Sequence, residues 1–273
     1  MRIEDYPPQE PFSGLGEAYH AAVMERGAGI AAIDISYGDD PYQGIALHVP
    51  AKPNGTVLAF MHGGGWTNGY KEWMAFMAPS LTAQGILFAS IGYRLAPQNV
   101  FPAGFDDAAD GVAALHKSVA DYGGDPSRIF VGGHSAGGHY TALLAVRDDW
   151  QAPRGLPSHI VRGCLPVSGV FDFTETSGLS MRPRFLGATG TELAASPIHS
   201  IAGTPPPFLI AHGNSDFPHL IHQASAMEEA LAAAGGAVER IELEGRDHLG
   251  ASYACAEADA IWLPRAVALM SAH

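Results

Sequence analysis

The 273-residue sequence has little positive charge, few cysteines and no long apolar run. Its 15 Lys and Arg residues stand against 28 Asp and Glu residues, for a formal net charge of −13. An acidic surface attracts neither nucleic acid nor an anionic membrane, so we expect neither as a partner. No run approaches the ~18 apolar residues that span a bilayer. Met1–Gly14 lacks the apolar core of a signal peptide.

Only two cysteines are present, Cys164 and Cys255, and neither belongs to a CxxC pair. A disulfide between them cannot be read from the sequence. A reduced, cytoplasmic protein is the simpler prediction. His219 and His222 have the spacing of two metal ligands on a helix, but the sequence suggests no third ligand. We therefore predict no metal site.

The sequence is rich in apolar residues, and these recur at regular intervals. Hydrophobic residues make up 47% of it and charged residues only 16%, which is typical of a domain with a sizeable core. No linker is evident, so we predict one domain over residues 1–273. Apolar runs of strand length alternate with helical periodicity, which predicts an α/β fold with a mostly parallel sheet flanked by helices. The predicted strands are Ile33–Ser36 and Ile45–Val49 (an edge hairpin), Val57–Met61, Ile86–Ile91, Ile129–Val131, Val161–Leu165, Phe208–Ala211 and Val238–Leu243. The predicted helices are Trp73–Gln84, Phe105–Val119, Gly138–Val146, His219–Ala234 and Ala251–Leu269, the last broken at Pro264.

Two segments, residues 1–32 and about 167–207, do not fit this alternation. In open parallel sheets, chemistry gathers at the carboxyl ends of the strands. We predict that both segments are small cap elements over such a site, with surface loops as the alternative.

The most informative motif is Gly-His-Ser-Ala-Gly at residues 133–137, between a β-branched run and an apolar helix. A serine at a sharp strand-to-helix turn needs neighbours without side chains, because the backbones come close together. The turn also places the hydroxyl at a helix N-terminus, which favours negative charge. Ser135 is therefore the candidate nucleophile; the alternative is a glycine-rich turn with an incidental serine.

A second glycine cluster, His-Gly-Gly-Gly-Trp at residues 62–66, follows a predicted strand. Glycines let backbone N–H groups approach a ligand closely, and acyl transfer needs such donors for the charge on the carbonyl oxygen. We predict that the N–H groups of Gly64, Gly65 and Ala136 form an oxyanion hole. The imidazole of His62 is predicted to be structural.

A serine nucleophile needs a base, and 13 histidines are available. After a nucleophile of this kind, the acid and then the histidine follow along the chain. His248, in the loop after the last predicted strand, has both the order and the position. His212, at the end of the preceding strand, is the second choice.

The base in turn needs an orienting carboxylate. Asp216 lies in the turn after the strand Phe208–Ala211, as the chain order requires. Asp172, after an earlier strand, is its competitor. Asp247 adjoins the predicted base, and neighbouring side chains rarely orient each other in this way.

With these motifs, the chain resembles α/β-hydrolase esterases, in the group that contains hormone-sensitive-lipase-like esterases and arylformamidases. The resemblance covers roughly residues 35–249. The segments that resemble the first branch are residues 62–66, 93–97, and 101–103 followed by Asp106 and Asp107. Those that resemble the second are residues 133–139, 71–72 and 195–197. The chain departs from the first branch at His134, where an acidic residue is usual, and from the second at Gly65, where a tyrosine is frequent.

The resemblance implies the α/β-hydrolase fold and hydrolysis of a small carboxylic ester through an acyl-enzyme on Ser135. It implies no metal or organic cofactor. Trp66, Phe217 and Leu249 are the predicted substrate pocket. Two alternatives stay open: an amidase that acts on an N-formyl aromatic amine, and a non-catalytic ligand-binding module on the same fold. A homodimer is compatible with the sequence.

Overall fold

In the computed structural model, which describes residues 2–174, 182–187 and 190–273, eight strands form one sheet. They are β1 (Ile33–Ser36), β2 (Gly44–His48), β3 (Gly55–Met61), β4 (Leu87–Ile91), β5 (Gly124–His134), β6 (Val161–Val167), β7 (Phe208–Gly213) and β8 (Val238–Leu243). Their order across the sheet is β1-β2-β4-β3-β5-β6-β7-β8. The pairs β1–β2 and β2–β4 are antiparallel and the others are parallel, so the predicted mostly parallel α/β sheet is confirmed.

Helices follow most of the strands, and most of these helices pack against the sheet. They are α1 (Gly14–Arg26), α2 (Ala78–Thr82), α3 (Ala103–Ser118), α4 (Ala136–Val146), α5 (Arg182–Leu186), α6 (Glu192–Ala195), α7 (Pro218–Ala233), α8 (His248–Ala254) and α9 (Trp262–Ala272). In the part of the chain given above, no helix combines the length and apolar character needed to cross a membrane.

The core lies on both faces of the central strands. All of β4 is buried, and so is β3 except for Gly55 at its start. A strand that is covered on both faces reads as a continuous apolar run, and this is why the sequence identified these two strands directly.

The first hairpin forms as predicted, but only one of its strands is an edge. β1 lies at the edge of the sheet, whereas β2 also pairs with β4, and all five residues of β2 are buried. The prediction of two edge strands is therefore wrong for β2. Its run Ile45–Leu47 is apolar because both of its faces are covered.

The predicted helix Ala251–Leu269 is two helices, α8 and α9, and the predicted break at Pro264 is wrong. The chain turns before Trp262 instead, and Pro264 lies in the first turn of α9. The N–H groups of a first helical turn have no acceptor within the helix, so a proline there removes no hydrogen bond. Pro264 therefore lies at the beginning of a helix and does not interrupt one.

The predicted helix Trp73–Gln84 is also shorter and less regular than expected. A 3₁₀ helix covers Lys71–Met77, and α2 continues over Ala78–Thr82. Pro79 lies in the first turn of α2, where a proline is tolerated for the same reason.

The segment 1–32 contains a helix, α1, that the sequence reading did not find. Tyr19 and Val23, one turn apart, are its buried residues. The hydroxyl of Tyr19 lies 2.8 Å from that of Ser252 in α8, and the Tyr19 ring packs edge-on against Trp73. α1 is thereby fixed to a helix that begins at His248. The second irregular segment, about 167–207, lies partly outside the described residues, at 175–181 and 188–189.

Candidate active site

Ser135 lies in a sharp turn between β5 and α4. Its backbone φ is 53° and ψ is −113°, a conformation that non-glycine residues rarely adopt. The flanking glycines permit this turn, because a Cβ atom at Gly133 would lie 2.4 Å from the carbonyl carbon of Gly137. A Cβ atom at Gly137 would lie 2.1 Å from the carbonyl oxygen of Met61. The motif therefore aims the serine side chain above the carboxyl end of the sheet.

A histidine and an aspartate from two later loops meet this serine. Nε2 of His248 lies 2.9 Å from Oγ of Ser135, and Nδ1 of His248 lies 2.8 Å from Oδ1 of Asp216. Asp216 follows β7 and His248 begins α8 just after β8, so neighbouring strand ends bring them together. The structure thus unites the three predicted residues in the hydrogen-bonded order carboxylate, imidazole, hydroxyl, which is the geometry of nucleophilic catalysis.

Asp216 is held as an anion by its partners. Burial by itself would raise its pKa, but the hydrogen bond and charge of His248, the hydroxyl of Ser168 and the amide of Phe217 together lower the pKa to about 2. The Ser168 hydroxyl donates to Oδ2 at 2.5 Å, and the Phe217 amide donates to Oδ1 at 2.6 Å. An ionised Asp216 keeps the proton of His248 on Nδ1 and leaves Nε2 free to accept one.

The glycine loop that follows β3 lies directly beside the serine. A Cβ atom at Gly63 would lie 3.3 Å from Cβ of Ser135. Gly64 and Gly65 have φ values of 111° and 60°, and a Cβ atom at Gly64 would lie 2.0 Å from the carbonyl oxygen of Asn68. Within the residues that the structure describes, the amides of Gly64, Gly65 and Ala136 donate to no protein acceptor. They are thus available to a bound oxygen.

A cavity of about 470 Å³ opens over Ser135 and His248. Most of its lining side chains are apolar or aromatic. They come from the N-terminal segment with α1, the glycine loop and the 3₁₀ helix after it, the loop after β6, and the segments after β7 and β8 that lead into α7 and α8. They include Phe12, Leu15, Tyr19, Trp66, Trp73, Val170, Phe217, Leu220 and Leu249. A cavity of this size and character fits the apolar group of a small molecule.

The three predicted pocket residues all line this cavity, in different ways. Phe217 is 44% exposed and its ring centroid lies 4.9 Å from that of His248. Leu249 is partly buried beside it. Trp66 is only 2% exposed, stacks on Phe185 and donates its indole N–H to His139 at 3.1 Å. Trp66 therefore acts mainly as a wall of the cavity.

The competing residues have other partners. Nε2 of His212 lies 3.0 Å from the Arg240 guanidinium, and the ring is fully buried. Asp172 accepts hydrogen bonds from the amide and hydroxyl of Thr174. Asp247 caps α8 by accepting from the amide of Gly250. In the part of the chain described, none of these three side chains hydrogen-bonds Ser135 or His248.

His62 has the structural role that the sequence predicted. Its ring is fully buried, stacks on Tyr93 with 4.3 Å between centroids, and bonds the carbonyl oxygen of Gly63 through Nδ1 at 2.7 Å. Burial lowers its pKa to about 4, so it is neutral near pH 7. Over the described ranges, no group of three or more His, Cys, Asp or Glu side chains is placed to hold a metal ion.

Several residues of the site carry no signal of function in the sequence. Ser168 belongs to no motif, although it directly follows β6 and so lies at a carboxyl strand end. The cavity residues of the N-terminal segment, such as Phe12, Leu15 and Tyr19, carried no motif. For Ser168, the sequence offers only its position at the end of a predicted strand. For Phe12, Leu15 and Tyr19, it offers only the prediction that residues 1–32 form a cap over the site.

A family model of the α/β-hydrolase fold matches residues 58–251. The chain belongs to this α/β-hydrolase family. The matched region runs from β3 into α8 and includes the serine, aspartate and histidine described above.

Among curated proteins, this α/β-hydrolase is 31% identical over 258 residues to esterase LipQ of Mycobacterium tuberculosis, covering 86% of this chain and 61% of that protein. It is 29% identical over 238 residues to a probable isoprenylcysteine α-carbonyl methylesterase of Arabidopsis thaliana, covering 78% of this chain and 50% of that protein. The matched part of the chain thus corresponds to 50–61% of the length of these two relatives.

Solved structures agree on the fold of this α/β-hydrolase. A hyperthermophilic esterase from the archaeon Pyrobaculum calidifontis superposes with a TM-score of 0.78 at 19% identity, covering 94% of this chain and 92% of that chain. Esterase 2 of Thermogutta terrifontis, phosphonylated by sarin, superposes with a TM-score of 0.69 at 23% identity, covering 80% of this chain and 85% of that chain.

Proposed function

We propose that this chain is a serine hydrolase that cleaves small carboxylic esters, with Ser135 as its nucleophile. The observation that carries the proposal is the continuous hydrogen-bonded chain from Asp216 through His248 to Ser135, with distances of 2.8 and 2.9 Å. The relatives that are named as esterases support the same reaction class.

In the acylation step, Nε2 of His248 accepts the proton of the Ser135 hydroxyl as its oxygen attacks the ester carbonyl carbon. The carbonyl oxygen gains negative charge, which the amides of Gly64, Gly65 and Ala136 stabilise. His248 then gives its proton to the leaving alkoxide, and the alcohol departs. Asp216 stays ionised throughout and stabilises the imidazolium.

In the deacylation step, water takes the place of the alcohol. His248 removes a proton from the water, and the resulting hydroxide attacks the acyl carbonyl carbon on Ser135. The same three amides face the oxyanion, and His248 returns the proton to the serine oxygen as the carboxylic acid leaves. No group beyond these side chains and amides is needed for a balanced cycle.

The substrate that the cavity favours is an ester with an apolar acyl or aryl group. Its lining is largely aromatic and aliphatic, and Leu15 and Phe217 remain exposed at 56% and 44%. Apolar surface left open beside a nucleophile gains free energy when a substrate covers it, at about 25 cal/mol per Å².

The test is a paired assay of the wild type and Ser135→Ala on p-nitrophenyl acetate and p-nitrophenyl octanoate. We expect the wild type to hydrolyse at least one ester, and Ser135→Ala to lose at least ~10³-fold in kcat, as loss of a triad serine does. Ser127→Ala, at an exposed serine near the start of the same strand, is the matched control. A wild type that is inert on both esters, or a Ser135→Ala variant that keeps its activity, would refute the proposal.

Two further arms separate the alternatives. An N-formyl aromatic amine in the same assay reports amidase activity, and a rate above that on both esters would favour the formamidase. A fluorophosphonate probe, followed by mass spectrometry of the peptide that contains Ser135, reports an activated nucleophile. Absence of labelling together with absence of turnover would favour a non-catalytic binding module.

The cytoplasmic location and the homodimer stay predictions. Fractionation of cells that express the chain at its native level tests the first. Sedimentation equilibrium tests the second, and a mass near 28.6 kDa would exclude a stable dimer.

A further inference from the structure

His134, the residue before the nucleophile, contacts the main chain of the general base. Its Nε2 lies 2.9 Å from the carbonyl oxygen of His248. A carbonyl oxygen only accepts, so Nε2 of His134 carries a proton and donates it. The side chain is 2% exposed and forms part of the wall of the cavity over Ser135.

On its other side, His134 lies against the glycine loop. A Cβ atom at Gly63 would lie 2.8 Å from Nδ1 of His134 and 3.2 Å from its carbonyl oxygen. The absence of a side chain at Gly63 therefore makes room for this imidazole between the loop and the nucleophile turn. The ring touches all three segments of the site: the loop after β3, the turn after β5 and the start of α8.

The loop that carries His248 is tied on its outer side to the turn after β7: the amide of Gly245 donates to Oδ1 of Asn214, and the carbonyl oxygen of Arg246 accepts from the amide of Ser215, both at 3.0 Å. It leaves β8 through Glu244, Gly245 and Asp247, all of which are exposed, and the Asp247 side chain is used to cap α8. The bond from His134 restrains this loop from the buried side. This bond holds the main chain of His248, the residue whose imidazole hydrogen-bonds Ser135.

The His134 ring is neutral in the folded protein. Burial, and to a smaller extent the charge that His248 can carry, lower its pKa to about 3. The titratable groups that face it are His248, with ring centroids 4.9 Å apart, Tyr19 at 6.0 Å, and Asp216 beyond His248. A neutral ring donates through Nε2 without placing a second positive charge beside the imidazolium of the reaction.

We propose that His134 is a positioning residue: by donating to the carbonyl oxygen of His248, it fixes the main chain from which the catalytic imidazole projects. This role rests on the proposed catalytic functions of Ser135 and His248. It assigns a purpose to the imidazole at a position where hormone-sensitive-lipase-like esterases usually carry an acidic residue. An ionised carboxylate there would repel the carbonyl oxygen of His248, whereas the imidazole bonds it.

The test compares His134→Gln, His134→Asn and His134→Met. The Gln amide nitrogen reaches about as far as Nε2 of His, the Asn amide nitrogen only as far as Nδ1, and Met has similar size but no donor. We expect Met and Asn to lower kcat at least ~10-fold with KM within ~3-fold, because displacement of a catalytic group slows the chemical step. We expect Gln to restore most of the rate. Phosphonylation of Ser135 by a fluorophosphonate should follow the same order.

His48→Met is the matched control. His48 is also a buried histidine that bonds one backbone carbonyl oxygen, that of Ala31, but it lies on β2 away from the site. It should keep the wild-type kcat. Thermal unfolding identifies variants that do not fold. If His134→Met does not fold, the comparison of His134→Gln with His134→Asn still tests the donor.

The outcomes separate this proposal from the proposed function. If Met and Asn match the wild type, or if Gln is as slow as both, the donor has no positioning role and the inference is wrong. If the wild type neither hydrolyses esters nor is labelled at Ser135, the proposed function fails and the positioning role falls with it. If the Met variant is slow while the wild type and the Gln variant are both active, the result supports the positioning role of His134.

Discussion

The hydroxyl of Ser168 lies 2.5 Å from Oδ2 of Asp216, on the oxygen that His248 does not use. Ser168 is 2% exposed and has a φ of 51°, so a rare backbone conformation aims its hydroxyl at the carboxylate. The two oxygens of Asp216 are thereby fixed by separate donors, and the carboxylate cannot rotate freely.

This relationship predicts that Ser168→Ala lowers kcat about 10-fold with little change in KM, because hydrogen bonds to charged groups contribute ~1.5–3 kcal/mol. Steady-state kinetics on p-nitrophenyl esters measure both constants. Ser215→Ala removes an exposed hydroxyl next to Asp216 in sequence and should leave kcat unchanged. Equal rates for the two variants would show that Ser168 does not orient the carboxylate.

Gly64→Ala should abolish most of the activity. The φ of 111° and the carbonyl oxygen of Asn68, 2.0 Å from the new Cβ atom, force the loop to move. Displacement of an oxyanion donor costs about 10²–10³-fold in kcat. Gly245→Ala is the control, because Gly245 also has a positive φ (70°) but nothing lies within 4 Å of the added atom. It should lower the free energy of unfolding slightly and leave kcat unchanged.

Leu15→Ala and Phe217→Ala should change the preference for acyl chain length. Each removes apolar surface from the mouth of the cavity. If each substitution removes ~1.4 kcal/mol of binding free energy from the buried acyl chain, kcat/KM on p-nitrophenyl octanoate falls about 10-fold. An acetyl group covers much less of this apolar surface than an octanoyl chain does, so kcat/KM on the acetate should stay within about 3-fold. Leu193→Ala, at a 62% exposed leucine that does not line the cavity, is the control. Equal losses on both esters would contradict this substrate pose.

The free energy of unfolding should fall as the pH drops below 6.5. Burial lowers the pKa of His62 to about 4 and those of His134 and His139 to about 3, whereas these histidines titrate near 6.5 when unfolded. The unfolded chain therefore binds more protons below pH 6.5. Each histidine contributes its full stability above that pH and about 2 kcal/mol less at pH 5 than at pH 7.

Urea denaturation at pH 7, 6 and 5 measures this dependence. Asp216 has the opposite behaviour: its pKa of about 2 keeps its contribution intact above about pH 4, so it adds no slope in this range. A flat profile from pH 7 to 5 would contradict the neutral, buried state of the three histidines.

The sequence predicted the central strands and the three residues that meet at the site, because each carries its own local signal. Strands covered on both faces are continuous apolar runs, and the serine is flanked by glycines that the turn requires. His248 and Asp216 follow from chain order once Ser135 is assigned. The strands and the serine turn need only a few neighbouring residues, whereas the other two assignments need the order of elements along the chain.

What the sequence did not predict depends on contacts between distant segments. α1 buries only Tyr19 and Val23, too few apolar residues to produce a helical period. Ser168 is a lone serine whose role appears only when the ends of β6 and β7 lie side by side. His134 is noticeable in the sequence only as the residue before Ser135, and that position says nothing about the main-chain oxygen that its ring reaches 114 residues later.

The contact between Tyr19 and Ser252 spans 233 residues of chain. During synthesis on the ribosome, the first helix therefore emerges long before its partner exists. Its ring contact with Trp73 can form early, but the hydroxyl of Tyr19 lacks this partner until Ser252 has been translated. The link between α1 and α8 is consequently among the latest contacts around the pocket to form, and a ribosome stalled before Ser252 would carry a sheet without that link.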